Sequence, residues 1–289
     1  MIRLAEYYRS RYGHRIFKIP VNAHVPCPHG RCSYCDNASF SPVADETDPS
    51  VRVQIEAFFD REPADRRARQ YCVYFQPHTT TNCSPAELEG ILSQALGFGR
   101  VRGFSIGTRP DCVDPGRLDV IRATLAPGGF VEMEYGLQSC HDSTLARINR
   151  GHTARDFAKA VEMTAPYGFD VCAHVILFLP GESGRQMLET ADFLAGLPLR
   201  MVKIHSLYVP KSSPMHAEYV SHPFKLPTLE EYVEVLAAFV GRLRQDMVVS
   251  RVCSDVRNSA EAVVPWAEPA TTVWALLEQR LGRPGRGDC

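Results

Sequence analysis

Residues 17–35 read FKIPVNAHVPCPHGRCSYC: an apolar run over 17–25 leads straight into a loop that holds Cys27, Cys32 and Cys35. The run is too apolar for a sheet with one wet side, so it predicts a strand buried on both faces. Five more aromatic or β-branched runs follow, at 71–76, 101–107, 130–136, 169–179 and 201–209. Helical starts lie between and after them. Ser84-Pro85-Ala86-Glu87 offers an N-cap, a proline at the first helical position and a capping-box glutamate. Thr228 and Glu231 repeat that logic, ahead of apolar residues at helical spacing from Leu229 to Leu243. Strands alternating with helices imply βαβ units on a parallel sheet.

Six such units predict an α/β fold, a partial (β/α)6 TIM-like barrel with small N- and C-terminal extensions, open on one side to a large substrate. The 289 residues suit a single barrel domain. The expected core spans about 16–210, a helical extension about 211–281, and a frayed tail 282–289. In a barrel of this type chemistry sits at the C-terminal ends of the strands. The residues closing each run are therefore the candidates.

A hydrophobic fraction of 45% and a charged fraction of 22% belong to an ordinary globular chain. A formal charge of −1 supplies no global field toward nucleic acid or an anionic membrane. The N-terminus is charged from Arg3 and lacks the apolar centre of a signal peptide, and the apolar stretch 171–179 is too short to span a bilayer. The expectation is a cytoplasmic protein with no membrane contact. Seven of the ten cysteines (Cys72, Cys83, Cys112, Cys140, Cys172, Cys253, Cys289) are scattered singly and read as buried thiols. The run 61–69 reads as a solvated face.

Three thiolates within nine residues suit an iron-sulfur cluster. A structural zinc would need a fourth ligand, for which His24 and His29 are close enough in sequence. Both readings stand on the spacing alone.

The triad, with Tyr34 before its last cysteine, resembles the radical S-adenosylmethionine (SAM) superfamily. Further stretches resemble its YhcC/YtqA-type subgroup, related to the catalytic subunit of Elongator. These are Tyr74-Phe75-Gln76, residues 105–111 (SIGTRPD), 134–138 (EYGLQ), 148–152 (INRGH) and 174–176 (HVI), then 180–182 (PGE), 203–205 (KIH) and 262–266 (AVVPW). The likeness runs from about Tyr12 to Leu281. It departs in two places: the cysteine spacing is four residues then two, with no glycine-rich insertion, and Phe178 stands where glycine is usual. The bulkier side chain is expected to crowd the cofactor pocket.

The resemblance implies a 4Fe-4S cluster on Cys27, Cys32 and Cys35, whose open iron takes SAM, and an external electron donor of flavodoxin or ferredoxin type. By similarity to oxygen-independent coproporphyrinogen dehydrogenase, Gln138 and Arg150 would contact SAM, Arg150 through its carboxylate; the alternative is an arginine capping carbonyls. His174 would reach a ribose hydroxyl, or be a satisfied core histidine. Asn82 would lie where the methionyl amino group binds. Asp111 and Arg109 would flank the site, or form a structural ion pair. Lys203 and His205 would face adenine or substrate. The implied function is tRNA modification at the wobble uridine; the alternatives are a small-molecule or peptide substrate, and a zinc-stabilised binding module.

Overall fold

Six runs of Val, Ile, Phe and Tyr with few exposed positions build the centre of the molecule, and each becomes a parallel strand. The structure, a computed structural model, describes residues 1–66 and 69–282. Its strands are β1 (Ile2–Arg3), β2 (Ile16–Val21), β3 (Gln70–Phe75), β4 (Val101–Thr108), β5 (Phe130–Gln138), β6 (Asp170–Leu177), β7 (Met201–Ser206), β8 (Val209–Pro210), β9 (Val248–Arg251) and β10 (Ala262–Val263). The main sheet runs β1-β9-β7-β6-β5-β4-β3-β2, and every neighbouring pair in it is parallel. Consecutive strands pair in turn from β2 to β7, as a curling barrel wall requires. Every residue of β5 is buried, including Glu132 and Glu134.

The six expected runs are all present, with shifted ends that have local causes. The first strand stops at Val21 because the Gln54 side chain replaces the next strand, accepting from Asn22 N at 2.8 Å and donating to Asn22 O at 2.9 Å. β6 stops at Leu177 because Phe178 takes φ 66°, a left-handed backbone that ends a strand and that glycine adopts more readily. β7 ends at Ser206, and Val209–Pro210 pairs instead, antiparallel, with Ala262–Val263.

The sheet is wider than six strands. Val248–Arg251, from the segment expected to be a helical extension, enters beside β7, and Ile2–Arg3 joins at its outer side. The helix Leu4–Tyr12 then closes the N-terminal end of the barrel: Tyr8 Oη donates to Glu132 at 2.6 Å and Tyr7 Oη to Asp170 at 2.6 Å. Both expected capping boxes form, opening the helices Pro85–Ser93 and Leu229–Arg242. Of the 61–69 run expected as a solvated face, Arg61, Pro63, Ala64, Asp65 and Arg66 are exposed, whereas the Glu62 side chain is buried against Tyr71 and Arg100 and Arg69 is half-buried; positions 67 and 68 and the frayed tail expected over 283–289 lie outside the described residues.

Phe178 does not line the barrel cavity. Its ring packs against Tyr232, with centroids 6.1 Å apart. The expected crowding of the cofactor pocket is thus corrected: the unusual φ turns the side chain toward the helical layer.

Gly103 sits where β4 and β5 pair, and a Cβ there would overlap the Phe130 carbonyl, a backbone atom that cannot rotate away. Gly103→Ala is expected to destabilise the fold by about 1–3 kcal/mol, read as a lowered urea midpoint, through overpacking. An unchanged midpoint would show that the sheet yields there freely.

Candidate active site

The loop after β2 carries its three cysteines into one cavity of about 990 Å³, which Cys27, Cys32 and Cys35 all line. Burial, then the neighbouring Cys32 and Cys27 sulfurs, push the Cys35 thiol up to about 12. The three sulfurs therefore sense one another, and a thiolate there needs a cation beside it. Thr79 Oγ1 donates to Cys27 Sγ at 3.2 Å and Arg150 Nη1 to Cys32 Sγ at 3.6 Å, the kind of outer partners that orient metal-bound thiolates. His24 contacts the Asp48 carbonyl, and His29 the Asn149 carbonyl and Arg109. Neither is engaged with the triad. Among the described residues no three His, Cys, Asp or Glu side chains converge as ligands of one metal ion. A 4Fe-4S cluster gives each thiolate its own iron, so the wider donor set of three soft thiols fits it and fits a single zinc poorly.

The loop rests on residues 148–152. Ser33 N donates to the Ile148 carbonyl at 2.9 Å, and Asn149 Nδ2 donates to the Arg31 carbonyl at 2.9 Å. Arg150 turns inward, 6% exposed, to donate to the Gly136 carbonyl at 2.8 Å while facing Cys32. A Cβ on Gly151 would overlap the His29 ring, so only glycine lets the two segments meet. His152 Nε2 lies 2.9 Å from the same Gly136 carbonyl.

The end of β5 is shaped for this contact. The register to β6 shifts between Gly136 and Gln138, and Gln138 adopts φ 77°. A side chain at Gly136 would collide with the Arg150 guanidinium and lie 2.7 Å from Gln138 Nε2. Gln138 and Arg150 thereby line the cavity together. The guanidinium is buried with only carbonyl and sulfur partners. It can still accept a carboxylate in its planar fork.

Deeper in the barrel, five core strands each send one side chain to a single carboxylate on the sixth. Glu134 on β5 accepts from Lys18 on β2, Tyr74 on β3 (2.9 Å), Ser105 on β4 (2.8 Å) and Lys203 on β7 (2.9 Å), and pairs with His174 Nε2 on β6 (2.6 Å). Burial alone would raise this carboxyl; Lys18, Lys203 and His174 overcome it and hold Glu134 well below the usual range. Burial, reinforced by Lys203, lowers His174 to about 4.

The structure thus gathers Cys27, Cys32, Cys35, Gln138, Arg150 and His174 around one cavity, along with Lys203 and His205. Asn82 and Asp111 are not among its lining residues. Asn82 donates to the Pro26 carbonyl at 2.9 Å and so braces the start of the cysteine loop. Asp111 pairs at 2.8 Å with Arg109, which is 2% exposed and donates to the Arg150 carbonyl at 2.6 Å. Sequence reasoning missed Lys18, Glu132 and Glu134. A signal existed: two glutamates at alternate positions of a strand buried on both faces must point inward together. Of the cysteines expected to be buried thiols, Cys72, Cys172 and Cys253 are buried, whereas Cys83, Cys112 and Cys140 are only half-buried and Cys289 lies outside the described residues.

A family model described as "Radical SAM superfamily" matches residues 23–194, and one described as "Radical_SAM C-terminal domain" matches residues 199–283. Protein YhcC of Escherichia coli is 29% identical over 282 residues, covering 95% of this chain and 90% of that protein. The tRNA uridine(34) acetyltransferase of Methanocaldococcus infernus is 21% identical, covering 80% of this chain but 50% of that protein. The archaeal Methanocaldococcus infernus Elp3 structure shares the fold with a TM-score of 0.70 at 17% identity, over 93% of this chain and 64% of that one.

Acid should weaken the barrel in a defined window. Unfolded His174 binds a proton near pH 6.5 but the folded one only near 4, so the unfolded chain holds more protons between them and stability is lost as pH falls. Glu134 adds to this on further acidification, its stabilisation being full above about pH 4.3. Urea midpoints should fall from pH 6.5 toward 4, less steeply in His174→Gln. Glu134→Gln should lose about 3–5 kcal/mol at pH 7, because the buried Lys203 ammonium loses its counter-charge and Lys18 keeps only Glu132. A slope unaltered in His174→Gln would contradict the assignment.

Proposed function

Because the chain belongs to the radical SAM superfamily, we propose that this radical SAM enzyme, which works with a 4Fe-4S cluster and SAM, modifies the side chain of a tRNA wobble uridine. A 4Fe-4S cluster held in the cavity would supply the one-electron reduction of SAM from which radical chemistry at an unactivated carbon starts. Cys27, Cys32 and Cys35 hold the cluster. Arg150 holds the methionyl carboxylate, with Gln138 beside it, and His174 serves a ribose hydroxyl from its place next to Glu134. Asn82 and Asp111 act indirectly, Asn82 on the cysteine loop and Asp111 through Arg109 on the Arg150 backbone.

The observation that carries the substrate reading is the cavity itself. Ligand pockets span roughly 300–1,000 Å³, so a cavity of about 990 Å³ lies at the roomy end, as a site shared by a cluster, SAM and a substrate group requires. Phe40, exposed and lining the same cavity, offers a surface on which a splayed base can stack. Kinship with the tRNA uridine(34) acetyltransferase supports uridine as that base. The reading places the enzyme in the cytoplasm, beside tRNA and a flavodoxin- or ferredoxin-type donor. The formal charge of −1 favours the second reading, a small-molecule or peptide substrate for the same radical.

Anaerobic reconstitution with iron and sulfide, then dithionite and SAM, should yield 5′-deoxyadenosine by chromatography, and Cys35→Ala should yield none. Arg150→Lys should bind SAM about tenfold more weakly, since an ammonium cannot replace the bidentate fork. On the substrate, retention of bulk tRNA should fall steeply with salt. Absence of salt-sensitive retention would sink the tRNA reading and leave the second.

A further inference from the structure

Lys203 on β7 and Arg251 on β9 are register partners in adjacent parallel strands, and both line the cavity. The register between these strands shifts just before them, where Val202 pairs with Val249 but Lys203 with Arg251. Ser250 is the extra residue. Such a bulge re-aims the side chain that follows it, here bringing Arg251 onto the cavity wall. Like charges opposite one another across two strands are unfavourable, so this arrangement has a cost that something must offset.

The protein's own carboxylates do not offset it. Glu134 is shared by Lys18 and Lys203, and Glu132 pairs with Lys18 at 3.0 Å. Lys18 and Lys203 thus take up both carboxylates, and neither Glu132 nor Glu134 pairs with Arg251. Among the described residues the Arg251 side chain makes no hydrogen bond or ion pair, and Asp255, four residues on and also on the cavity wall, is exposed and does not pair with it. His205, also on the cavity wall, lies with its ring tilted against that of His174, centroids 5.4 Å apart, and has no hydrogen bond to either ring nitrogen among the described residues. Burial, with His174, Arg251 and Lys203 nearby, keeps it neutral, so one ring N–H is available to donate.

We propose that Arg251, Lys203 and His205 form a subsite on the β7–β9 wall that binds one oxyanion group of the substrate, a phosphate or a carboxylate. The planar fork of Arg251 suits two oxygens of such a group, Lys203 supplies a point charge, and His205 a neutral donor. The anion would neutralise the unmatched charge and anchor one end of the substrate in the cavity it shares with SAM. The inference names substrate chemistry for the enzyme described above and rests on that reading for the site being the substrate's.

The test is equilibrium dialysis of radiolabelled orthophosphate against the reconstituted holoenzyme, without reductant and with saturating SAM so that Arg150 is engaged. Saturable binding is expected, weakened about tenfold or more in Arg251→Gln and by a smaller factor in Arg251→Lys, which keeps the charge but loses the fork. Arg185→Gln, at an exposed helix position, should bind as the wild type does. Equal melting temperature and SAM affinity in Arg251→Gln would show that the variant folds. Competition then identifies the source: displacement by uridine 5′-monophosphate at lower concentration than by succinate marks a nucleotide phosphate, the reverse a carboxylate. No saturable phosphate binding, or equal binding by Arg251→Gln, overturns the subsite. Because no tRNA and no turnover enter the assay, it can succeed while the tRNA reading fails, and the reverse.

Discussion

One buried carboxylate, that of Glu134, ties the six core strands together at the centre of the barrel. Lys18, Tyr74, Ser105, His174 and Lys203 each come from a different strand and each reach the same two oxygens. A hydrophobic centre of equal volume could be as stable, since desolvating charges costs nearly as much as their pairing returns. What the carboxylate adds is register: a strand slipped by one residue would turn its partner outward and leave a buried charge unpaired. It also leaves a polar cavity where a packed barrel would have only side chains.

The catalytic end depends on a second constraint, the closeness of residues 148–152 to the cysteine loop. Glycines at 136 and 151 remove the Cβ atoms that would separate the segments, and the backbone of residues 148–150 with the Asn149 and Arg150 side chains fills the gap with hydrogen bonds. The same guanidinium that caps Gly136 also faces Cys32. Carbonyl capping and readiness for a carboxylate ligand are therefore two aspects of one buried charge. A shift in this segment would move the cysteine loop and the Arg150 guanidinium together, which keeps the two in fixed relation.

Much of this was legible beforehand because it is local. The six strands show as apolar runs, the helix starts at Ser84 and Thr228 as capping boxes, and the cluster as three close cysteines. Periodicity and spacing report such features directly. Strand ends were less legible: Gln54 terminates the first strand from thirty-two residues away, and no local pattern announces that. Two-residue strands such as Ile2–Arg3 are too short to show a period at all.

By itself the sequence determined the barrel, the thiol triad and the family, because each is written in contiguous residues or in motifs kept in order. Only the tertiary structure decided which side chains share the cavity. It drew Glu134 into partnership with five strands, set Asn82 and Asp111 to bracing roles behind the lining, and added Val248–Arg251 to the sheet with Arg251 turned inward by a bulge. Those outcomes depend on closure of the sheet, which brings together residues more than a hundred positions apart, and on single-residue register shifts that invert the direction of a side chain.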